Sequence, residues 1–221
     1  MNNNNKTNNI PIKNKKESRG KETRQIILNA AKIVFARHPY NAASIRMIAT
    51  EGDFYHGLIR YHFPNKAAVF EEIVKEICRK LFEANRIWLK EIAALPPKEG
   101  LSAYLDRFIG FSVVNNETCQ LIIQNLGNDD PDTLPGYNYL KDFFSNTRKD
   151  FETILLTLIP ESELQRLLDS LNILLVYYLG AKNAAADIVG LDPKSDEYLK
   201  WVKETILFLF VPVLNQYFKP V

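Results

Sequence analysis

The stretch SIRMIATEGDFYHGLIRYHF, residues 44–63, decides how this chain is read. Ser44 has the chemistry of a helix N-cap, so the spacing predicts a short helix over 45–51. Gly52-Asp53 breaks it, and aspartate tolerates a left-handed backbone better than most residues. A second short helix is expected over 55–62. Ile45, Ile48 and Ala49 would then pack on Phe54, Ile59 and Phe63, with the small Ala49 permitting a close crossing. Two short helices around a tight turn and a small apolar core form a helix-turn-helix. Its second helix keeps an outer face of Tyr55, His56, Gly57, Leu58, Arg60, Tyr61 and His62. Side chains of these types can reach base edges and phosphates from the major groove.

Working outward, apolar residues recur at three- and four-residue spacing along almost the whole chain, which predicts an all-α protein. A helix over 21–38 carries the stripe Ile27, Ala31, Val34 and Phe35, and Pro39 ends it. Pro64-Asn65 interrupts the chain before a long helix over 66–94, which Pro96-Pro97 closes. Further helices are expected over 98–115, 117–127, 134–158, 161–189 and 195–218, about nine in all. Six of the first ten residues are Asn, and lysines follow between Lys13 and Lys16. Residues 1–18 are therefore expected to be a disordered arm. That leaves residues 19–66 as a three-helix helix-turn-helix domain and 67–221 as a larger helical domain.

The formal net charge of +2 conceals an asymmetry. Residues 1–66 hold twelve Lys/Arg against four Asp/Glu, and the remainder holds sixteen against twenty-two. A basic first part beside a mildly acidic larger part is the pattern of a polyanion-binding module joined to something else. Cys78 and Cys119 have no metal-ligand spacing and fall in apolar helical patterns, which fits a reducing cytoplasm. The longest apolar run, Ile206 to Leu214, is far short of the roughly 20 residues that span a bilayer, so no membrane partner is expected. All three histidines, His38, His56 and His62, precede residue 67. The larger domain thus has no histidine base or ligand, no glycine-rich phosphate loop and no nucleophile elbow. Neither catalysis nor a cofactor nor a metal is expected.

From Arg24 to Phe70 the chain resembles the tetracycline-repressor (TetR) family. The resemblance rests on R-Q-I-I-L-N-A-A-K-I-V-F, then S-I-R-M-I-A, then G-L-I-R-Y-H-F-P-N-K-A-A-V-F. Its densest part is the G-x-x-x-Y-H-F-x-x-K core from Gly57 to Lys66. The resemblance implies that helix 45–51 supports and helix 55–62 is the recognition helix. It implies DNA contacts from Ser44, Arg46, Tyr55, His56, Gly57, Arg60, Tyr61, His62 and Lys66, with Lys66 meeting a phosphate. Three positions depart from the family pattern. Tyr55 stands where a small N-cap is usual, Arg60 where a tyrosine is common, and Pro39 where the turn usually has glycine. Arginine can bind guanine bidentately, so Arg60 points to a G-containing half-site.

The larger domain carries Trp88, Phe108, Phe111, Ile123, Tyr137, Phe143, Phe144 and Tyr177 on helices that could surround an apolar cavity. By the resemblance this domain binds an effector that lowers DNA affinity; its few basic residues favour a neutral or apolar one. The last two helices are expected to form a dimer interface through Leu164, Leu167, Leu168, Leu171, Leu175 and Tyr178, facing Tyr198, Trp201, Val202, Ile206, Leu209 and Val213. A two-fold homodimer would read a pseudo-palindromic operator on double-stranded DNA. A ligand-responsive repressor is the leading expectation. An activator or ligand-insensitive regulator with the same DNA-binding domain is an alternative, as is a helical scaffold whose helix-turn-helix corner is incidental.

Overall fold

The computed structural model describes residues 12–126, 130–155 and 159–218. Among these there are ten α-helices and no strand. They are α1 (Ile12–Arg37), α2 (Ile45–Glu51), α3 (His56–His62), α4 (Lys66–Ile92), α5 (Pro97–Val114), α6 (Asn116–Leu126), α7 (Tyr137–Leu155), α8 (Glu161–Gly180), α9 (Lys182–Val189) and α10 (Asp196–Tyr217), with a 3-10 turn at Pro131–Thr133. The all-α expectation holds, with the small helix-turn-helix part first and the larger helical part after it.

Three boundaries differ from the sequence reading. The helix expected to start at residue 21 starts at Ile12, so residues 12–18 are helical rather than an unstructured arm; residues 1–11 of that arm lie outside the described residues. Lysine, glutamate and arginine are good helix formers, and no proline interrupts the run. The Thr23 hydroxyl also donates to the Arg19 carbonyl at 2.9 Å. The helix expected over 161–189 is two helices, α8 and α9, broken at Ala181 (φ −96°, ψ 29°). At the break a Cβ on Gly180 would lie 2.4 Å from the Cys119 carbonyl oxygen, so the missing side chain is what lets α8 press onto α6. Finally, α7 begins at Tyr137, because Pro135 and the left-handed Gly136 (φ 80°) hold the preceding residues out of the helix.

The spine of the molecule is α4. Its residues Val69, Phe70, Ile73, Val74, Ile77, Leu81 and Leu89 recur at helical spacing and are all buried. At its N-terminal end it packs on the buried stripe of α1, Ile27, Ala31, Val34 and Phe35. Further along, α7 lies beside it and runs the same way. Gly136 abuts Glu71 and Val74, the Lys75 ammonium sits 5.7 Å over the Tyr139 ring, and Arg86 meets Asp150 at 3.8 Å. α6 lies against both α1 and α8. α10 closes the bundle against α5 and α8, with Lys203 on Asp106 at 2.6 Å and the Tyr198 hydroxyl donating to the Tyr178 carbonyl at 2.7 Å.

A half-buried ion-pair cluster joins α1 to α4 inside this frame. The Glu76 carboxylate receives Lys32 of α1 at 2.9 Å and Lys80 at 2.7 Å, with both Lys32 and Glu76 only 16% exposed. Burial pushes the Glu76 carboxyl up, but Lys80 and Lys32 outweigh it and hold it below the usual carboxylate range. A carboxyl depressed on folding adds stability above its unfolded pKa and loses it as pH falls through the folded one. Glu76→Gln should therefore cost about 1–2 kcal/mol at neutral pH. Denaturant midpoints measured down a pH series should converge with those of the parent as pH falls below the carboxylate range.

Candidate nucleic-acid interface

The local chemistry of residues 39–63 explains how α3 is presented. The Ser44 hydroxyl accepts from the Met47 N–H at 3.2 Å and caps α2. After α2, the Asp53 N–H donates to the Thr50 carbonyl at 3.3 Å and the Phe54 N–H to the Ala49 carbonyl at 3.0 Å. These two bonds with a left-handed residue between them make a Schellman stop, and Asp53 takes the left-handed position (φ 51°). Ile48, Ala49, Ile59 and Phe63 are buried together, with Phe54 packed against them. The departure at Pro39 is accommodated: its carbonyl accepts from the N–H groups of Ala42 and Ala43 at 2.9 and 3.0 Å, closing the turn between α1 and α2.

The face left outward is polar and aromatic. Tyr55 is 74% and Tyr61 80% exposed, which is abnormal for tyrosines unless something covers them. Tyr55 is the N-cap residue of α3 and makes no side-chain cap bond, as its aromatic ring requires. Its ring lies across the start of the helix, against His56 at 4.4 Å, and a Cβ on Gly57 would come within 2.5 Å of it. Glycine at 57 is what lets the Tyr55 ring lie there. Arg46 on α2 and Arg60 on α3 are exposed, and neither makes an ion pair among the described residues. His62 is half-buried, edge-on to Tyr61 at 5.1 Å.

Lys66 is placed otherwise than the resemblance implies. Its ammonium turns inward, donating to the Tyr40 carbonyl at 2.7 Å and the Ala43 carbonyl at 2.9 Å, and lies 4.2 Å over the Tyr40 ring. Burial pushes its pKa down. Lys66 thus ties the start of α4 to the α1–α2 turn. Two further residues that the sequence reading passed over do similar work. The Arg24 guanidinium lies 4.0 Å over the Phe63 ring, donates to the His62 carbonyl at 3.1 Å and pairs with Glu72 at 3.3 Å, bracing the end of α3 against α1 and α4. Asn125 of α6 is buried and accepts the Tyr40 N–H at 3.0 Å. Nothing in the sequence spacing signals these contacts, because each spans at least 38 residues.

The expected cavity residues do not converge. Trp88 packs edge-on among Tyr104, Phe108 and Phe111 at 5.7–6.2 Å, Phe143 lies against Phe144 at 5.3 Å, and Tyr137 carries the Lys141 ammonium over its ring. Ile123 packs against the core and Tyr177 is 38% exposed. A cavity of about 160 Å³ exists elsewhere, at the far end of α4. Its walls include Leu89 and Ile92 of α4, Leu101 and Tyr104 of α5, Phe151 of α7, Ile159 just before α8, Leu164, Leu168 and Leu171 of α8, and Phe210 and Leu214 of α10. Most of these aromatics pack as core, and leucine is the commonest residue on the walls of this cavity, with the spacing of any core stripe.

The expected dimer residues also divide. Leu164, Leu168, Leu171, Leu175, Tyr198, Val202 and Ile206 are buried in the chain's own core and are closed to a partner. Leu167, Tyr178, Trp201 and Val213 are half-buried, and Leu209 is exposed. The apolar residues that do face outward on α8 and α10 are Ile173, Tyr177, Phe208 and Leu209, with Phe208 78% exposed. An α10 that is apolar on nearly every side has both kinds of face, and spacing alone does not say which is which. Cys78 and Cys119 are free and buried, their thiols pushed up to about 12 by burial, with Asp142 adding to the effect at Cys78. Among the described residues no helix is long and apolar enough to cross a membrane.

Residues 27–73 match the family of bacterial regulatory proteins named tetR. No curated protein matches the chain. Among solved structures, the fatty acid degradation regulator FadR from Bacillus halodurans superposes with a TM-score of 0.60 at 18% identity, covering 84% of this chain and 94% of that one. FadR from Bacillus subtilis in complex with stearoyl-CoA gives 0.60 at 17% identity, with 84% and 96% covered. A tetR-family transcriptional regulator from Streptomyces coelicolor gives 0.61 at 13% identity, with 90% and 84% covered. Identities this low speak for the fold alone, and the matched helix-turn-helix segment carries the assignment. Residues 27–73 thus carry the helix-turn-helix segment of the tetR family of bacterial regulatory proteins.

Proposed function

We propose that this protein is a homodimeric, ligand-responsive repressor that reads a pseudo-palindromic operator with α3. The observation that carries the reading is the division of α3 itself. Ile59 is buried and holds the helix to α1 and α2, while Tyr55, Arg60 and Tyr61 stand free on its outer face. Together with Ser44, Arg46, His56, Gly57 and His62 they form the proposed DNA surface, Gly57 through its backbone. Lys66 positions that surface rather than meeting a phosphate. We assign residues 19–66 to the reading head and 67–221 to effector binding and dimerisation, with α4 running from one into the other.

The effector reading rests on the cavity at the end of α4 and on the stearoyl-CoA bound by the similar FadR from Bacillus subtilis. Among the described residues no lysine, arginine or histidine lines the cavity, so the effector is read as neutral or apolar. α4 spans 27 residues, about 40 Å, from the cavity wall at Leu89 and Ile92 back to Lys66. A ligand that displaces the far end of α4 would shift the Lys66 grip on Tyr40 and Ala43, while Asn125 holds Tyr40 to α6. Lower operator affinity follows when the occupied conformation misplaces the two heads. The second copy would dock on Ile173, Tyr177, Phe208 and Leu209.

Selection of bound sequences from random duplex DNA tests the whole reading. Paired, two-fold-related half-sites about one helical turn apart are expected. No enrichment at any salt concentration would falsify it. Arg60→Ala should weaken the selected operator by roughly ten- to a hundredfold and relax one base position, read by competition binding. Lys66→Ala should lower both melting temperature and affinity, yet leave the slope of log affinity against log salt unchanged; a phosphate contact would reduce that slope by about one. Phe208→Asp should yield a monomer by sedimentation with helical content intact, because a charge is placed on the proposed interface and not in the core.

A further inference from the structure

Two buried polar groups beside the cavity have no partner among the described residues: the Asn85 side-chain amide nitrogen and the Thr147 hydroxyl. Asn85 is 2% and Thr147 1% exposed. Asn85 lies one helical turn before the wall residue Leu89 on α4, and Thr147 one turn before the wall residue Phe151 on α7. The register of the two helices, set by Gly136 on Val74 and Arg86 on Asp150, brings these turns to the same level. Tyr104, itself a wall residue, touches both helices: its hydroxyl donates to the Asn85 side-chain oxygen at 2.9 Å and its ring meets Phe151 at 5.4 Å. The apolar cavity and this pair of unpartnered donors therefore meet at Tyr104.

That pair has a defined chemistry. The Asn85 oxygen is taken by Tyr104, so what remains is the amide N–H pair and the Thr147 hydroxyl, both able to donate. Leaving such donors buried and unsatisfied is costly, and a ligand that supplies an acceptor recovers the loss. Among the described residues the walls carry no cation, so an anionic acceptor would be desolvated without compensation. The cavity volume of about 160 Å³ is close to that of cavities known to take a single aromatic ring.

We propose that the cavity selects a compact, uncharged apolar molecule bearing one hydrogen-bond acceptor, such as an aromatic or cyclic ketone, and that Asn85, oriented by Tyr104, is the residue that selects it. This rests on the reading of the cavity as the effector site, and names the chemical class that the site takes. Asn85 touches the ligand's acceptor; Tyr104 positions the amide by holding its oxygen.

The test titrates the full-length protein calorimetrically with three molecules of similar size: acetophenone, isopropylbenzene and benzoate. Acetophenone should bind at least about tenfold more tightly than isopropylbenzene, since one buried hydrogen bond separates them, and benzoate should bind more weakly than either. Asn85→Leu should abolish the preference for the ketone while keeping the hydrocarbon. Tyr104→Phe should reduce the same preference and serves as the second variant, with helical content checked for both. Equal affinity for ketone and hydrocarbon in the parent, a preference that survives Asn85→Leu, tight benzoate binding, or no binding of either neutral probe each overturns the proposal. Operator affinity is measured in parallel. Selective ketone binding that leaves operator affinity unchanged sinks the effector reading while the site stands, and operator binding without any cavity binding does the reverse.

Discussion

The Lys66 ammonium is the contact on which the geometry of the molecule turns. It reaches from the first residue of α4 into a turn that leaves α1, and there it satisfies two carbonyls that have no other helix to serve. Partial burial pushes its pKa down, and the electron-rich face of Tyr40 below it offsets part of that cost. Without such a donor, the Tyr40 and Ala43 carbonyls would be turned toward a half-buried seam unpaired. The same turn hands its Tyr40 N–H to Asn125. One short turn thus answers to α4 and α6 at once, and α2 and α3 hang from it. The α2–α3 pair is therefore held by directional polar contacts as well as by its apolar core.

This division of labour runs through the fold. The apolar core supplies most of the stability, but it is poor at fixing angles because leucine and isoleucine contacts are interchangeable over small shifts. Directional contacts appear where one helix must be held at a particular place on another. Arg24 does so at the end of α3, Glu76 between α1 and α4, Tyr198 between α10 and α8, and the Arg148–Asp169 pair at 2.8 Å between α7 and α8. Each is long in sequence separation and short in space.

That distinction also explains what could be read from the sequence. Local chemistry was legible. The Ser44 cap, the left-handed Asp53, the uncapped Tyr55 and the stop at Pro39 all appear where the residues imply, because each depends on neighbours within five positions. The helical class was legible from periodicity. What periodicity lacks is the identity of the surface that each stripe meets. Leu164, Leu168 and Leu171 have the spacing of a partner-facing stripe, and in the fold they line an internal cavity. Phe208, the most exposed large apolar residue of α10, sits in a run where nearly every residue is apolar and nothing marks it out. The wall of the cavity was missed for the same reason. Lys66 was misplaced because a motif fixes the residue and not the direction its side chain takes.

The early start of α1 has a kinetic consequence. The helix begins at Ile12, and among its residues of described burial, from Ser18 on, the first buried one is Ile27, about 22 Å along the helix. That is roughly two to three screening lengths at physiological ionic strength. The sequence of this segment holds Lys13, Lys15, Lys16, Arg19 and Lys21 against Glu17 and Glu22, while Arg24, nearer the core, is paired with Glu72. A basic segment leading into the core enlarges the radius at which a polyanion first feels the protein. Such a segment would act on the rate of encounter and the frequency of sliding along a duplex rather than on the choice of sequence.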